Sequence, residues 1–110
     1  MRYGERGRTD NKLVIHKQTI SILVGAIQQL SVPAGSLILD YQVQGGVIQV
    51  WYEFELGHST MVPLQVFIQA TGHETSPAMR SRVNYATTVQ MGDEVWHIFD
   101  HLGKVEGGGD

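Results

Sequence analysis

The sequence predicts an all-β protein, built as a small antiparallel β-sandwich or barrel-like domain. Three observations carry that expectation. A two-residue alternation of apolar and polar residues persists from about Leu13 to Phe99, the mark of strands with one buried side. Turn residues recur at roughly the eight-to-twelve-residue spacing of sandwiches and small barrels. Gly45-Gly46 joins two alternating segments directly, a hairpin signal because primed turns need positive φ.

Taken in order, the first strand is expected over residues 12–19. Residues 20–32 are ambiguous: Ile20, Leu23, Val24 and Ile27 fit a short helical stripe, but the β-branched content favours a strand over residues 27–32. Pro33-Ala34-Gly35 then makes a turn. The next strand, residues 37–44, puts Leu37, Leu39, Tyr41 and Val43 on one face. Residues 47–56 alternate most clearly. Ile48, Val50, Tyr52, Phe54 and Leu56 fall on one side, and Val47, Gln49, Trp51, Glu53 and Glu55 on the other. His58-Ser59 lies in the following turn. Residues 62–70 turn Val62, Leu64, Val66 and Ile68 inward. Residues 71–81 form a polar loop containing Pro77. A second hairpin pairs residues 82–90 with 94–100 around Met91-Gly92-Asp93.

The flanks read differently. Residues 1–11 are polar and charged and read as a flexible arm. Residues 103–110 end in Gly107-Gly108-Gly109 and read as a tail, leaving a β domain over residues 12–102. Charged residues make up 17% of the chain against 42% apolar, below the roughly 25% charge of ordinary soluble domains. Self-association is the expected consequence.

The net charge of −3 argues against nucleic-acid backbone binding as the main task. No Lys or Arg occurs between Gln18 and Met79. An anion site must therefore draw on Lys12, Lys17, Arg80, Arg82, backbone amides or the arm. Cysteine is absent, which removes disulfides, thiol nucleophiles and cysteine-bound zinc. No secretory signal or membrane-spanning stretch is read.

Catalytic signatures are weak. His97 and His101 are four apart, but in a strand that spacing loses its metal-binding meaning. His97 alternates with Val95 and Phe99 and is expected to face the core. His73-Glu74 lacks the second histidine of a zincin motif. Asp93-Glu94 is turn chemistry. No cofactor or metal is expected. Non-enzymatic action is the expectation; were there catalysis, His73 and Glu74 would be its acid–base residues.

Alternation leaves three large rings on outer faces: Trp51 among Gln49, Glu53 and Glu55, Phe67 between Gln65 and Gln69, and Trp96 with Glu94, Ile98 and Asp100. Such rings form a second core or subunit contact, or stack on a ligand. The loop Thr71-Gly72-His73-Glu74-Thr75-Ser76-Pro77, with Arg80 and Arg82 just beyond it, gathers groups that suit an anion.

Val32-Pro33-Ala34-Gly35, Val43-Gln44-Gly45-Gly46, Ala70-Thr71-Gly72-His73, Thr87-Thr88-Val89 and Gly92-Asp93-Glu94-Val95-Trp96-His97-Ile98-Phe99 together resemble a family of short proteins found mainly in bacteriophages and prophages. Ala86 stands where that pattern carries a glycine. The resemblance covers residues 12–100 and brings no activity with it. It implies a viral protein, acting in the cytoplasm of an infected bacterial host or built into a virion.

These readings combine into an expected function. The protein is a phage-encoded homo-oligomer that sequesters a small host nucleotide-type defence signal. Arg80 and Arg82 would bind phosphate, Trp51 or Trp96 would stack on the base, and the amides of Thr71, Gly72 and His73 would complete the site. The alternatives are a capsid or tail decoration protein, or an inhibitor that binds a host protein. No membrane partner is expected.

Overall fold

Two antiparallel sheets account for most of the described residues in the computed structural model, which describes residues 12–57 and 60–104. The strands are β1 (Leu13–Ile20), β2 (Ile27–Pro33), β3 (Leu37–Gln44), β4 (Val47–Glu55), β5 (Met61–Ala70), β6 (Asn84–Met91) and β7 (Glu94–Leu102). One sheet has the order β1-β4-β3, the other β2-β5-β7-β6. The fold is an all-β sandwich. The arm over residues 1–11, the His58-Ser59 turn and residues 105–110 of the tail lie outside the described residues.

Burial follows the two-residue period. On the three-stranded sheet, Ile48, Val50, Tyr52 and Phe54 point inward, with Ile20 and Tyr41 beside them. On the four-stranded sheet, Val32, Val62, Leu64, Val66, Ile68 and Ile98 close the core from the other side. Each fully buried aliphatic or aromatic side chain contributes about 1.5–3 kcal/mol. Leu56, expected inward, lies beyond the end of β4 and is exposed.

The β3–β4 hairpin closes through Gly45 and Gly46, both at positive φ (63° and 82°), the pair of angles that a type I′ turn demands. The ambiguous stretch after β1 is not helical. Gln28 spans it, its side-chain amide donating to the Ser21 carbonyl (2.6 Å) and accepting from the Ser21 N–H (3.0 Å). Val24 then bridges to Ile68.

Two expectations about faces are corrected, and a third ring is on its expected face but buried. In β3 the register shifts between Ile38 and Asp40. Leu39 is the extra residue of a β-bulge, so Ile38 pairs with Tyr52 on the inner face while Leu37 and Leu39 are exposed. A bulge resets the phase of alternation, which a period-two reading cannot anticipate. In β7 both faces carry large apolar groups, and pairing with β5 decides between them. Ile98 lies opposite Ile68 and Phe99 opposite Phe67. Trp96 therefore joins the core, 9% exposed, and His97 faces outward with Val95 and Phe99. Phe67 is on the outer face as expected but only 1% exposed, because that face carries a small second core.

β6 has a bulge as well, between Tyr85 and Thr87. The displaced residue is Ala86, the position at which the sequence pattern departs from its expected glycine. β3 and β6 pack against each other, so the two bulges sit on the same flank.

Candidate functional site

Three surfaces of the sandwich carry candidate groups. The first is the outer face of the four-stranded sheet, where the loop after β5 folds back. Ala70 to His73 form a turn closed by the His73 N–H on the Ala70 carbonyl (3.1 Å), with Gly72 supplying the required positive φ of 90°. Gln69 pins this turn by donating to the His73 carbonyl (2.7 Å). Beneath it, Thr71 Oγ1 is 2.7 Å from His97 Nε2, and Thr88 Oγ1 is 3.1 Å from His97 Nδ1. Tyr85 Oη continues the chain to Thr88 (2.7 Å). One imidazole nitrogen donates and the other accepts, and the hydroxyls rotate to suit either tautomer.

The loop also contains a short helix, α1 (Pro77–Arg80), which the sequence reading treated as irregular. Ser76 caps it by accepting from the Met79 N–H, with Pro77 directly after the cap, the arrangement favoured at helix starts. The helix delivers Arg80 onto the sheet. Its guanidinium sits 4.6 Å from the Phe99 ring centre and donates to the Val83 carbonyl (2.8 Å). Phe99 in turn meets Phe67 and Tyr85 at 6.1 and 5.7 Å. Arg80 is thus engaged in closing the second core, a cation–π contact worth about 0.5–1 kcal/mol. Arg82 is exposed.

Thr71, His73 and Trp96 do come together. They line a depression of about 440 Å³ with Asp93, Glu94 and Val95. Only part of Trp96 reaches it, since the ring is largely buried and its Nε1 has no hydrogen-bond partner. Asp93 and Glu94 make the lining acidic, opposite to what a phosphate needs. Trp51 lies on the other sheet, so the seven expected ligand residues do not form one site within a single chain.

The second surface is the outer face of the three-stranded sheet. Strand register sets it out in rows: Ile15, Glu53 and Leu37; then Lys17, Trp51 and Asp40; then Thr19, Gln49 and Gln42. Leu13, Ile15, Leu37 and Leu39 are 46%, 52%, 38% and 43% exposed. Half-buried Trp51 is at the centre, with the Lys17 ammonium 5.9 Å from its ring centre. A shallow depression of about 280 Å³ runs between Ile15, Leu39, Asp40, Gln42 and Trp51. The sequence reading missed Ile15 and Leu39. The signal for Ile15 was available, because β1 has apolar residues on both faces; nothing local marks the bulge that turns out Leu39.

The third surface is the seam between β3 and β6. Tyr41 crosses it and donates to Asp100 Oδ2 (2.6 Å). Burial raises the Asp100 carboxyl above its ordinary range, with the Tyr41 bond and neighbouring His101 pulling the other way. Burial also pushes the Tyr41 phenol well above its usual range, helped by the adjacent carboxylate. Ile38, Leu39, Asp40 and Ala86 line a depression of about 290 Å³ beside the pair. The two residues are 59 apart in sequence, and no local pattern links them.

Among the described residues, no group of three His, Asp or Glu side chains is placed to hold a metal ion. No described helix is long and apolar enough to cross a membrane.

The chain belongs to the family described as a domain of unknown function, DUF7352, whose profile matches residues 11–107. The match takes in every strand of the sandwich. Neither the curated proteins nor the solved structures include a significant match.

Proposed function

We propose that the protein is a non-enzymatic binding protein whose working surface is the outer face of the three-stranded sheet. The observation that carries this reading is that Ile15, Leu39 and Trp51 line one depression on this face, with exposed Leu13 and Leu37 on the same face. Contiguous exposed apolar surface marks contact sites, and tryptophan is a residue type that dominates binding hot spots. The face is made of paired strands, so it binds with little ordering cost. The partner class it suits is protein. In this reading the chain is phage-encoded and acts in an infected bacterium, as an inhibitor of a host protein or as a virion subunit.

A photo-crosslinking residue placed at Leu39 tests the surface, with one at His101 on the opposite sheet as control. Protein adducts from Leu39 alone support the reading; adducts from His101 alone overturn it. Mass spectrometry of purified virions separates the virion subunit from the intracellular inhibitor.

Sequestration of a nucleotide-type defence signal is a second reading, favoured by the convergence of Thr71, His73 and Trp96 on one depression. It stands second because Asp93 and Glu94 share that lining and Arg80 is held on Phe99. Calorimetry against cyclic nucleotides tests it: heat from micromolar protein, lost in Thr71→Val, would place it first.

A further inference from the structure

We propose that two copies of this chain pair face to face through their three-stranded sheets, about a two-fold axis running along β4. The inference rests on the reading that this face is the working surface, and it names the occupant as a second copy.

The argument is one of self-complementarity. β4 is the central strand, flanked by β1 and β3. A two-fold axis along β4 lays each cross-strand row on its own copy while exchanging its ends. In the first row, Ile15 then lies over Leu37 of the second copy. In the second row, Lys17 lies over Asp40 of the second copy, and this contact is made twice. In the third row, Thr19 lies over Gln42 of the second copy. Off the axis, apolar groups meet apolar groups, opposite charges meet, and hydrogen-bonding groups meet at the rim, while on the axis Trp51 and Glu53 each face their own copies. An axis across the strands would instead set Lys17 on Lys17 and Asp40 on Asp40. The positions of Lys17 and Asp40 therefore favour the axis along β4.

Shape agrees with charge. The bulge thrusts Leu39 out beside the depression next to Trp51, offering a projection and a recess on the same face. Glu53 and Glu55, on the axis strand, each have an interaction within their own chain. Packed sheets lie about 10 Å apart and cross at about 30°, so the rows match best near Trp51 and diverge toward the ends. Three strands of about eight residues span roughly 14 by 26 Å. Counted on both copies, this is about 700 Å², below the roughly 1,000 Å² of a stable specific interface. The pair is therefore expected to be weak and reversible.

Sedimentation velocity on the full chain over a wide concentration range is the test. The expected result is a concentration-dependent shift from the 12.2 kDa monomer to twice that mass. Lys17→Asp or Asp40→Lys should each weaken the pair at least tenfold, and the double exchange should restore it. Orientation is read separately. The chain has no cysteine, so a short bismaleimide should join a Lys17→Cys chain to an Asp40→Cys chain faster than it joins either chain to itself. A monomer at every concentration overturns the proposal, as does self-linking of Lys17→Cys that outpaces the mixed pair. If that monomer still gives protein adducts from Leu39, the working surface stands and only its occupant is refuted. A dimer indifferent to Lys17, Asp40 and Ile15→Glu refutes both.

Discussion

The hydrogen bond from Tyr41 to Asp100 links the two sheets, and replacing Tyr41 with Phe tests what it contributes. The substitution keeps the buried ring and deletes only the donor that reaches Asp100 at 2.6 Å. A hydrogen bond to a charged group contributes about 1.5–3 kcal/mol. Asp100 is half-buried, and water replaces part of what the phenol supplied, so a loss of about 1–2 kcal/mol is expected at neutral pH. For a domain of this size that lowers the melting temperature by about 4–8 °C. The pH dependence gives a second check. Burial raises the Asp100 pKa, so its ionised form is disfavoured in the fold relative to the open chain. Its contribution to stability is complete below the ordinary aspartate range and is lost as pH rises through the raised value. The Tyr41 bond favours the ionised form, so the cost of Tyr41→Phe should be largest near pH 7 and shrink toward pH 4. His101, which acts on the same carboxylate, is common to both proteins and cancels in the comparison. Urea denaturation at the two pH values measures the difference. A variant as stable as the parent at neutral pH, or one equally weakened at both, would refute this account.

Trp96→Phe should cost no more than about 1.5 kcal/mol, because the smaller ring also removes an indole N–H that has no partner; a urea-measured loss above about 3 kcal/mol, the range for truncation to alanine, would contradict it. In the same variant, Trp51 fluorescence should be readily quenched by acrylamide, whereas Trp96 in Trp51→Phe should be shielded. Gly46→Ala should cost about 1 kcal/mol through backbone strain alone, since φ is 82° and no atom lies within 4 Å of the added methyl; thermal melts read this. Gly103→Ala should cost about 1–3 kcal/mol, because its Cβ would sit 2.8 Å from Pro63 Cγ and 3.1 Å from the Pro63 carbonyl oxygen. Hydrogen exchange at residue 103, which donates to that carbonyl at 2.7 Å, should accelerate with it.

Strand positions were legible because each face of β4 and β5 differs sharply from the other. Ile48, Val50, Tyr52 and Phe54 cannot exchange places with Gln49, Trp51 and Glu53 without exposing the core. Legibility failed where that contrast fails. β7 sets Trp96 and Ile98 against Val95 and Phe99, and only pairing with Ile68 and Phe67 in β5 chooses between them. The Leu39 bulge is invisible for a different reason: it is a property of two strands in register, not of one. The candidate site was half visible. Thr71, Gly72 and His73 form the turn that their residue types suggest, and His73 shares a depression with Trp96. Arg80 was read as an anion ligand, but Ser76-Pro77 starts a helix that aims it at Phe99. The Ser-Pro pair was the available signal. Trp51 was correctly placed outward, but its neighbours Ile15 and Leu39 become apparent only once three strands are aligned.

The paired bulges have a bearing on lateral growth. β3 and β6 are both outermost in their sheets, and unpaired strand margins are where β proteins run into fibres. A foreign strand laid along either margin would match the ladder on one side of Leu39 or Ala86 and fall out of step on the other. On this flank each margin is interrupted, which disfavours the extension of one copy's sheet by another.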